Sequence, residues 1–448
     1  MSFDNLPRDW QLIPLEDAMD AIIDYRGKTP KKTESGIPLI TAKIVKGGYV
    51  LEPFEFIAED NYDSWMVRGL PQVGDVVLTT EAPLGETAQL TSANVALAQR
   101  IVTLRGKKGL LDSDFLLCAL QSDFVQHQLE SRASGSTVKG IKQSELRKVI
   151  LPIPPLLEQH KISQVLKSLS NKLVCNTKTN QTLEEMAQAI FKSWFVDFEP
   201  VKAKMNGEQP EGMDAATASL FPEKLVESEL GLIPEGWSVE SAKSQLDVLR
   251  GFSYKGKGLV TSLDQGVPMH NLNSVLEGGG YKYKGLKFYS DEFKDKFLVQ
   301  EGDVLVANTE QGHNHLLIGY GAMIPKHLAF GFCSHHTYRV RPKSDSNVTP
   351  EFIERLFGKG RFVKQVQGFT NGTTVNMLPV AGMEMPEFVV PPRTLAEKYS
   401  ELVKPMKAMI EENHKSNIEL AKLRDTLLPK LLSGEIELEA TEELVEVN

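Results

Sequence analysis

The feature that most constrains this 448-residue chain is that much of it occurs twice. Asp114-Phe115 matches Glu351-Phe352, and Gly135-Ser136-Thr137-Val138 matches Gly372-Thr373-Thr374-Val375. Pro154-Pro155 matches Pro391-Pro392, and Leu183 matches Leu420, all at one offset of 237 residues. Upstream the offset drifts to 228 for Gly74-Asp75-Val76 against Gly302-Asp303-Val304, and to 227 for Trp10 against Trp237. Loops of unequal length cause such drift, whereas chance does not hold one offset over about 70 residues. At ~150 residues per domain the chain exceeds one core, so the duplication implies two homologous heads.

Both copies share a layout. Short β-like runs (Val76-Val77-Leu78, Ile101-Val102-Thr103-Leu104, Val304-Leu305-Val306) are broken by glycine and proline. Helical stretches follow at Phe115–Leu129 and Glu351–Gln367. A proline-rich stop then leads into a long helix, through Leu151-Pro152-Ile153-Pro154-Pro155 in one copy and Val389-Val390-Pro391-Pro392 in the other.

The long helices carry heptad seams. One runs Ile162, Leu166, Leu169, Leu173, Asn176, Asn180, Leu183, Ala187, Ile190, Trp194. The other runs Tyr399, Val403, Met406, Ile410, Asn413, Asn417, Leu420, Arg424, Leu427, Leu431. Apolar residues at 3.5-residue spacing mark a coiled coil, and matching central asparagines favour mutual pairing. In an antiparallel pair Asn176 faces Asn417 and Asn180 faces Asn413; roughly 38 residues give a rod of ~57 Å. Two ordinary amphipathic core helices remain the alternative.

The expected architecture is therefore α/β. It has a first head at 1–155, a long helix at 156–198, and a linker at 199–232 with one short helix at Ala215–Phe221. A second head at 233–393, a second long helix at 394–434 and an acidic tail at 435–448 follow.

The net charge of −9 argues against a free-standing nucleic-acid binder. By region the balance is −3 for 1–150, −3 for 151–230, +2 for 231–393 and −5 for 394–448. The three scattered cysteines (Cys118, Cys175, Cys333) read as reduced cytosolic thiols, and no apolar run reaches the ~20 residues of a membrane span. The opening MSFDNLPRDWQLIP is acidic and broken by proline, unlike a signal peptide. A cytoplasmic protein is expected.

Three segments carry a resemblance. Leu151-Pro152-Ile153-Pro154-Pro155-Leu156-Leu157-Glu158-Gln159 and Glu185–Phe198 resemble the two ends of the first conserved helix of Type I restriction–modification DNA-specificity subunits. Leu423–Ile436 is similar to the end of the second. The resemblance implies two target recognition domains held apart by an antiparallel helix pair, each reading half of a divided double-stranded DNA site. It also implies assembly with two methyltransferase subunits and with nuclease–translocase subunits. Those partners would supply S-adenosylmethionine, ATP and magnesium, with no cofactor or metal bound by this chain. A duplicated coiled-coil scaffold recognising a protein is the alternative.

No motif carries chemistry. The chain lacks a Gly-x-x-x-x-Gly-Lys-Ser/Thr loop and an Asn-Pro-Pro-Tyr-type motif, so a non-catalytic subunit is expected. His313-Asn314-His315 has no second ligand cluster. His335-His336, close to Cys333, is read as a strand with one histidine on each face rather than as zinc ligands.

Three matched places suit DNA contact. One is the loop after each Gly-Asp strand: Thr79, Thr80 and Glu81, and Asn308, Thr309, Glu310 and Gln311. Another is the Gly/Ser/Thr loop: Ser134, Ser136, Thr137 and Lys139, and Asn371, Thr373, Thr374 and Asn376. The third is an early basic loop: Arg26, Lys28, Lys31, Lys32, Lys43 and Lys46, and Arg250, Tyr254, Lys255 and Lys257. Lys282 and Lys284, alternating with Tyr281 and Tyr283, suggest a further basic face. Ordinary hairpin turns and solvated lysines are the alternative readings. Trp194, Phe195 and Phe198 are read as helix-end packing or a methyltransferase docking point.

Overall fold

Val76-Val77-Leu78-Thr79-Thr80 is apolar and β-branched throughout, and it forms a strand in which every residue is buried. The computed structural model describes residues 7–438 apart from 137, 313, 373 and 374. The chain divides into two units: residues up to Asn176 together with those from Lys415 onward, and Thr177–His414.

In the first unit an antiparallel sheet is ordered Met19–Asp24, Ile101–Gly106, Val76–Thr80, Leu84–Gln89. In the second the order is Leu246–Arg250, Thr337–Pro342, Val304–Ala307, Gly321–Met323. Each unit adds a second four-stranded sheet and a ribbon joining the ends of its head. Gln11–Pro14 pairs with Ile150–Ile153, and Ser238–Ser241 pairs with Glu387–Val390. The duplication is thus reproduced in both four-stranded sheets and in the ribbon.

The repeated Gly-Asp motif has a structural explanation. Buried Asp75 accepts from Arg105 Nε and Nη2, both at 2.8 Å, and from the Gln72 N–H at 2.8 Å. Asp303 does the same with Arg341, at 2.5 and 3.0 Å, and with the Gln300 N–H at 2.8 Å. Each carboxylate closes the turn before its strand and pins it to the neighbouring strand.

The ribbons deliver the chain through their prolines into two 40-residue helices, Leu156–Phe195 and Arg393–Leu432. Phe198, in the left-handed conformation (φ 54°), follows the end of the first. The helices pair antiparallel within each unit. Asn176 Nδ2 donates to Asn417 Oδ1 at 2.9 Å in the first unit, and Asn413 Nδ2 donates to Asn180 Oδ1 at 2.8 Å in the second. The expected polar layers therefore form, with Asn176 and Asn180 buried.

Each head's core is completed by both helices. Ile162, Leu166, Leu431 and Leu432 join Trp10, Leu15 and Phe115 in the first unit. Trp194, Phe195, Phe198, Tyr399 and Val403 join Trp237 and Phe352 in the second. The three aromatics at the first helix's end are buried there, so they pack rather than stack on a ligand. Residues 199–232, expected as a linker with one short helix at Ala215–Phe221, carry that helix at Ala215–Ser219 and add a helix Glu199–Met205 and a hairpin, Leu225–Ser228 with Gly231–Pro234. Val201 and Phe221 bury in the core, which a weak apolar periodicity concealed. Among the described residues no helix is long and apolar enough to cross a membrane.

One core histidine gives the second unit a pH dependence. His270 is fully buried, with Nδ1 2.8 Å from the Tyr281 hydroxyl and Nε2 3.0 Å from the Leu328 carbonyl oxygen. Both contacts suit the neutral ring, its Nε2–H donating to Leu328 and its Nδ1 accepting from Tyr281. Burial pushes its pKa down to about 4. The unfolded chain then takes up this proton near pH 6.5 while the folded chain resists it. Stability is complete above that pH and is lost as pH falls toward 4. From pH 7 to pH 5 the second unit is expected to lose about 2 kcal/mol, read by urea denaturation. A His270→Gln variant with the same pH slope would count against this assignment.

Candidate nucleic-acid interface

The second unit brings its three matched places together. The Gly/Ser/Thr loop is a hairpin in which Asn371 and Met377 exchange backbone hydrogen bonds of 2.9 and 2.8 Å. The next residue, Leu378, donates its N–H to Asn308 O at 2.8 Å, and Asn308 donates its own to His336 O at 3.1 Å. Thr309–Gln311 pairs with Val375–Met377. Arg250 Nε donates to His335 O at 3.3 Å, and the Tyr254 ring centroid is 6.0 Å from that of His335.

The first unit repeats this wiring. Ser134 and Gly140 exchange 2.9 Å backbone bonds, Ile141 donates to Thr80 O at 3.0 Å, and Thr80 donates to Arg100 O at 2.9 Å. Arg26 Nη1 donates to Ile141 O at 2.6 Å. Arg100 also pairs with Glu81 at 3.1 Å. Gly135 (φ 109°) and Gly372 (φ 134°) make the hairpins possible. A Cβ there would lie 2.2 Å from Val138 O and 2.1 Å from Val375 O.

Not every candidate is available to a ligand. Thr79, Thr80, Asn308, Thr309 and Glu310 were expected in a loop but are buried. The β-branched threonines extend the first strand through Thr80. Asn308 Nδ2 donates to His335 O, Thr309 Oγ1 meets His336 Nδ1 at 3.1 Å, and Glu310 accepts the N–H groups of Leu316, Leu317 and Ile318. Asn376 is also buried and donates to Gly312 O. These side chains build the cluster from inside. Ser134, Ser136, Lys139, Arg250, Gln311 and Asn371 are exposed, and Glu81 is half-buried. Thr137, Thr373, Thr374 and His313 lie outside the described residues, as does the tail from residue 439.

The lysines separate. Lys32 and Lys43 both pair with Glu55, at 2.8 and 3.3 Å, and the Lys32 ammonium holds that carboxyl below its usual pKa. Lys28, Lys31, Lys46, Lys255 and Lys257 are exposed, while Arg26 is paired with Asp24 at 2.6 Å. Lys282 and Lys284 point outward as Tyr281 meets His270 and Tyr283 packs on His414, with ring centroids 4.3 Å apart. Among the described residues no hydrogen bond or ion pair ties these two lysines to the cluster.

The histidine pair departs from expectation. His335 and His336 sit in a turn between strands, not on opposite faces of one, with ring centroids 3.9 Å apart. Burial first, then the charges of His336 and Arg250, hold His335 below its usual pKa. Cys333 is fully buried in the strand before them, its thiol pushed up to about 12 by burial. Arg100 escaped sequence reasoning, and the histidines were noticed there only as a strand pair and not as part of this cluster. Their signal was the matched strand register, which only pairing reveals.

Residues 7–185 match the family model described as the Type I restriction modification DNA specificity domain. The MjaIX Type I restriction enzyme specificity subunit of Methanocaldococcus jannaschii is 26% identical over 446 residues, covering 97% of this chain and 95% of that protein. The chain is thus similar to Type I specificity subunits, by the family model over residues 7–185 and by this relative along nearly its whole length. A second relative, the HindI Type I restriction enzyme specificity subunit of Haemophilus influenzae, is 24% identical over 393 residues, covering 77% of this chain and 82% of its own. The crystal structure of a Type I system S subunit from M. genitalium shares the fold, with a TM-score of 0.55 at 13% identity over 98% of both chains. The stretch matching the specificity-domain model spans the first copy of the repeat and most of the first long helix.

Proposed function

We propose that this chain is the sequence-reading subunit of a Type I restriction–modification complex, recognising a divided double-stranded DNA site with one half-site for each head. The observation that carries this reading is the cluster built twice. In each head a glycine hairpin is hydrogen-bonded to the end of a buried strand, beside an arginine. Exposed Lys139 and Arg250 suit phosphates, and Ser134, Ser136, Asn371 and Gln311 suit base edges or phosphates.

With a net charge of −9, phosphate contact has to come from local basic patches and from partners. In this reading two methyltransferase subunits supply the partners' share, bind S-adenosylmethionine and extrude the target base. Nuclease–translocase subunits bring ATP and magnesium, the assembly works in the cytoplasm, and this chain contributes recognition and no catalytic group.

The test is a bandshift with the chain copurified with its methyltransferase partner, on the duplex identified by methylome sequencing of the host. Retardation competed away by that duplex, and not by a scrambled one, is expected. Equal competition by both would overturn the reading.

A further inference from the structure

An open hollow in the second unit is walled by Arg250, Ser253, Lys294, Lys296 and His335 over a floor of Phe252 and Phe297. No carboxylate lines it among the described residues. Asp295, between the two lysines in sequence, is not among the lining residues, and Asp247, on the strand that ends at Arg250, pairs with Arg339 at 2.8 Å. Arg250 is held by its Nε bond to His335 O, leaving the Nη groups for another acceptor. Lys296 Nζ is steadied 5.0 Å from the Phe297 ring centroid. Three cations that line one recess with no carboxylate in the lining repel each other, and a seated anion relieves that repulsion.

The duplication supplies a second observation. Arg68 precedes Lys296 by 228 residues, the offset that also relates Gly74-Asp75 to Gly302-Asp303. Arg68 Nη1 donates to the carbonyl oxygens of Asp24 and Arg26, at 2.8 and 2.9 Å, which sets a second cation beside Arg26. A basic residue thus reaches the corresponding place in both heads, although their surrounding loops differ.

We infer that this hollow seats a phosphodiester group of the DNA backbone, with Arg250, Lys294 and Lys296 supplying charge and Ser253 a hydroxyl donor. The inference rests on the DNA-reading function proposed above and extends the contact surface to residues outside the matched loops. Its lining has cations and one hydroxyl but no amide or carboxylate side chain, so it holds the duplex in register rather than reading sequence.

The test compares wild-type complex with Lys294→Ala/Lys296→Ala and Lys294→Arg/Lys296→Arg variants, each with the partner methyltransferase, in salt titrations of DNA binding. The alanine pair is expected to lower the slope of log affinity against log salt by about 0.9 to 1.8. Between about 50 and 200 mM salt the wild type should therefore lose about 4- to 12-fold more affinity than the variant. The loss at low salt should be equal on cognate and scrambled duplexes, and the arginine pair should restore it. An unchanged slope would overturn the phosphate seat alone. Relaxed sequence preference would replace it with a base-reading role. Failure of the wild-type complex to retain DNA would overturn the functional reading and the seat together.

Discussion

Replacing Asp303 by alanine is expected to destabilise the second unit by about 3–5 kcal/mol, the cost of removing one partner of a buried ion pair. The carboxylate is buried and accepts from Arg341 Nε, Arg341 Nη2 and the Gln300 N–H. Among the described residues, its loss leaves the guanidinium only the Leu298 carbonyl oxygen, at 2.9 Å. The arginine side chain is 23% exposed, so water reaches it and the lower end of the range applies. At about 2–4 °C per kcal/mol for a unit of this size, the lower end of that range should bring the melting transition down by roughly 6–12 °C. Asp75→Ala should do the same to the first unit through Arg105. A loss below about 1 kcal/mol would mean that the pair is a screened surface contact.

This pair also shows where sequence reading succeeds. A duplicated Gly-Asp before an apolar run marked a structural position because turn and strand chemistry are local. The helix seam was equally legible, since a 3.5-residue repeat with asparagines in matching steps specifies its partner, and Asn176–Asn417 and Asn180–Asn413 form as expected. The interface was legible only in outline. The three matched places converge, but sequence cannot show that Asn308 turns inward to His335 O or that Lys32 is spent on Glu55. Those outcomes depend on contacts between residues 27 and 23 positions apart, which no local pattern encodes. Residues 199–232 misled for the opposite reason: their polar composition hid the few side chains, such as Val201 and Phe221, that reach the core.

Inserting seven residues into each long helix, between Asn176 and Asn180 and between Asn413 and Asn417, is expected to widen the preferred DNA spacer by about three base pairs. A heptad adds ~10 Å of rise, and a base pair occupies ~3.4 Å. The insertion keeps the apolar seam in phase, so pairing within each unit survives. Three base pairs also turn the second half-site by roughly a quarter of a helical turn, so the longer protein should bind more weakly even at its new optimum. Methylome sequencing of a host carrying the variant, with bandshifts across a spacer series, gives the readout. A variant that still selects the original spacer would mean that helix length does not set the half-site separation.

The division of the chain has a consequence for its synthesis. The core of the first unit includes Leu431 and Leu432, whereas the second unit is one uninterrupted segment, Thr177–His414. On the ribosome the half made first must therefore wait for the last helix. At ~5–20 residues per second, the 255 residues between Asn176 and Leu431 take roughly 10–50 s to emerge. Throughout that interval Leu15, Ile162 and Leu166 lack their final cover, so a nascent chain stalled before Leu427 is the species most in need of a chaperone.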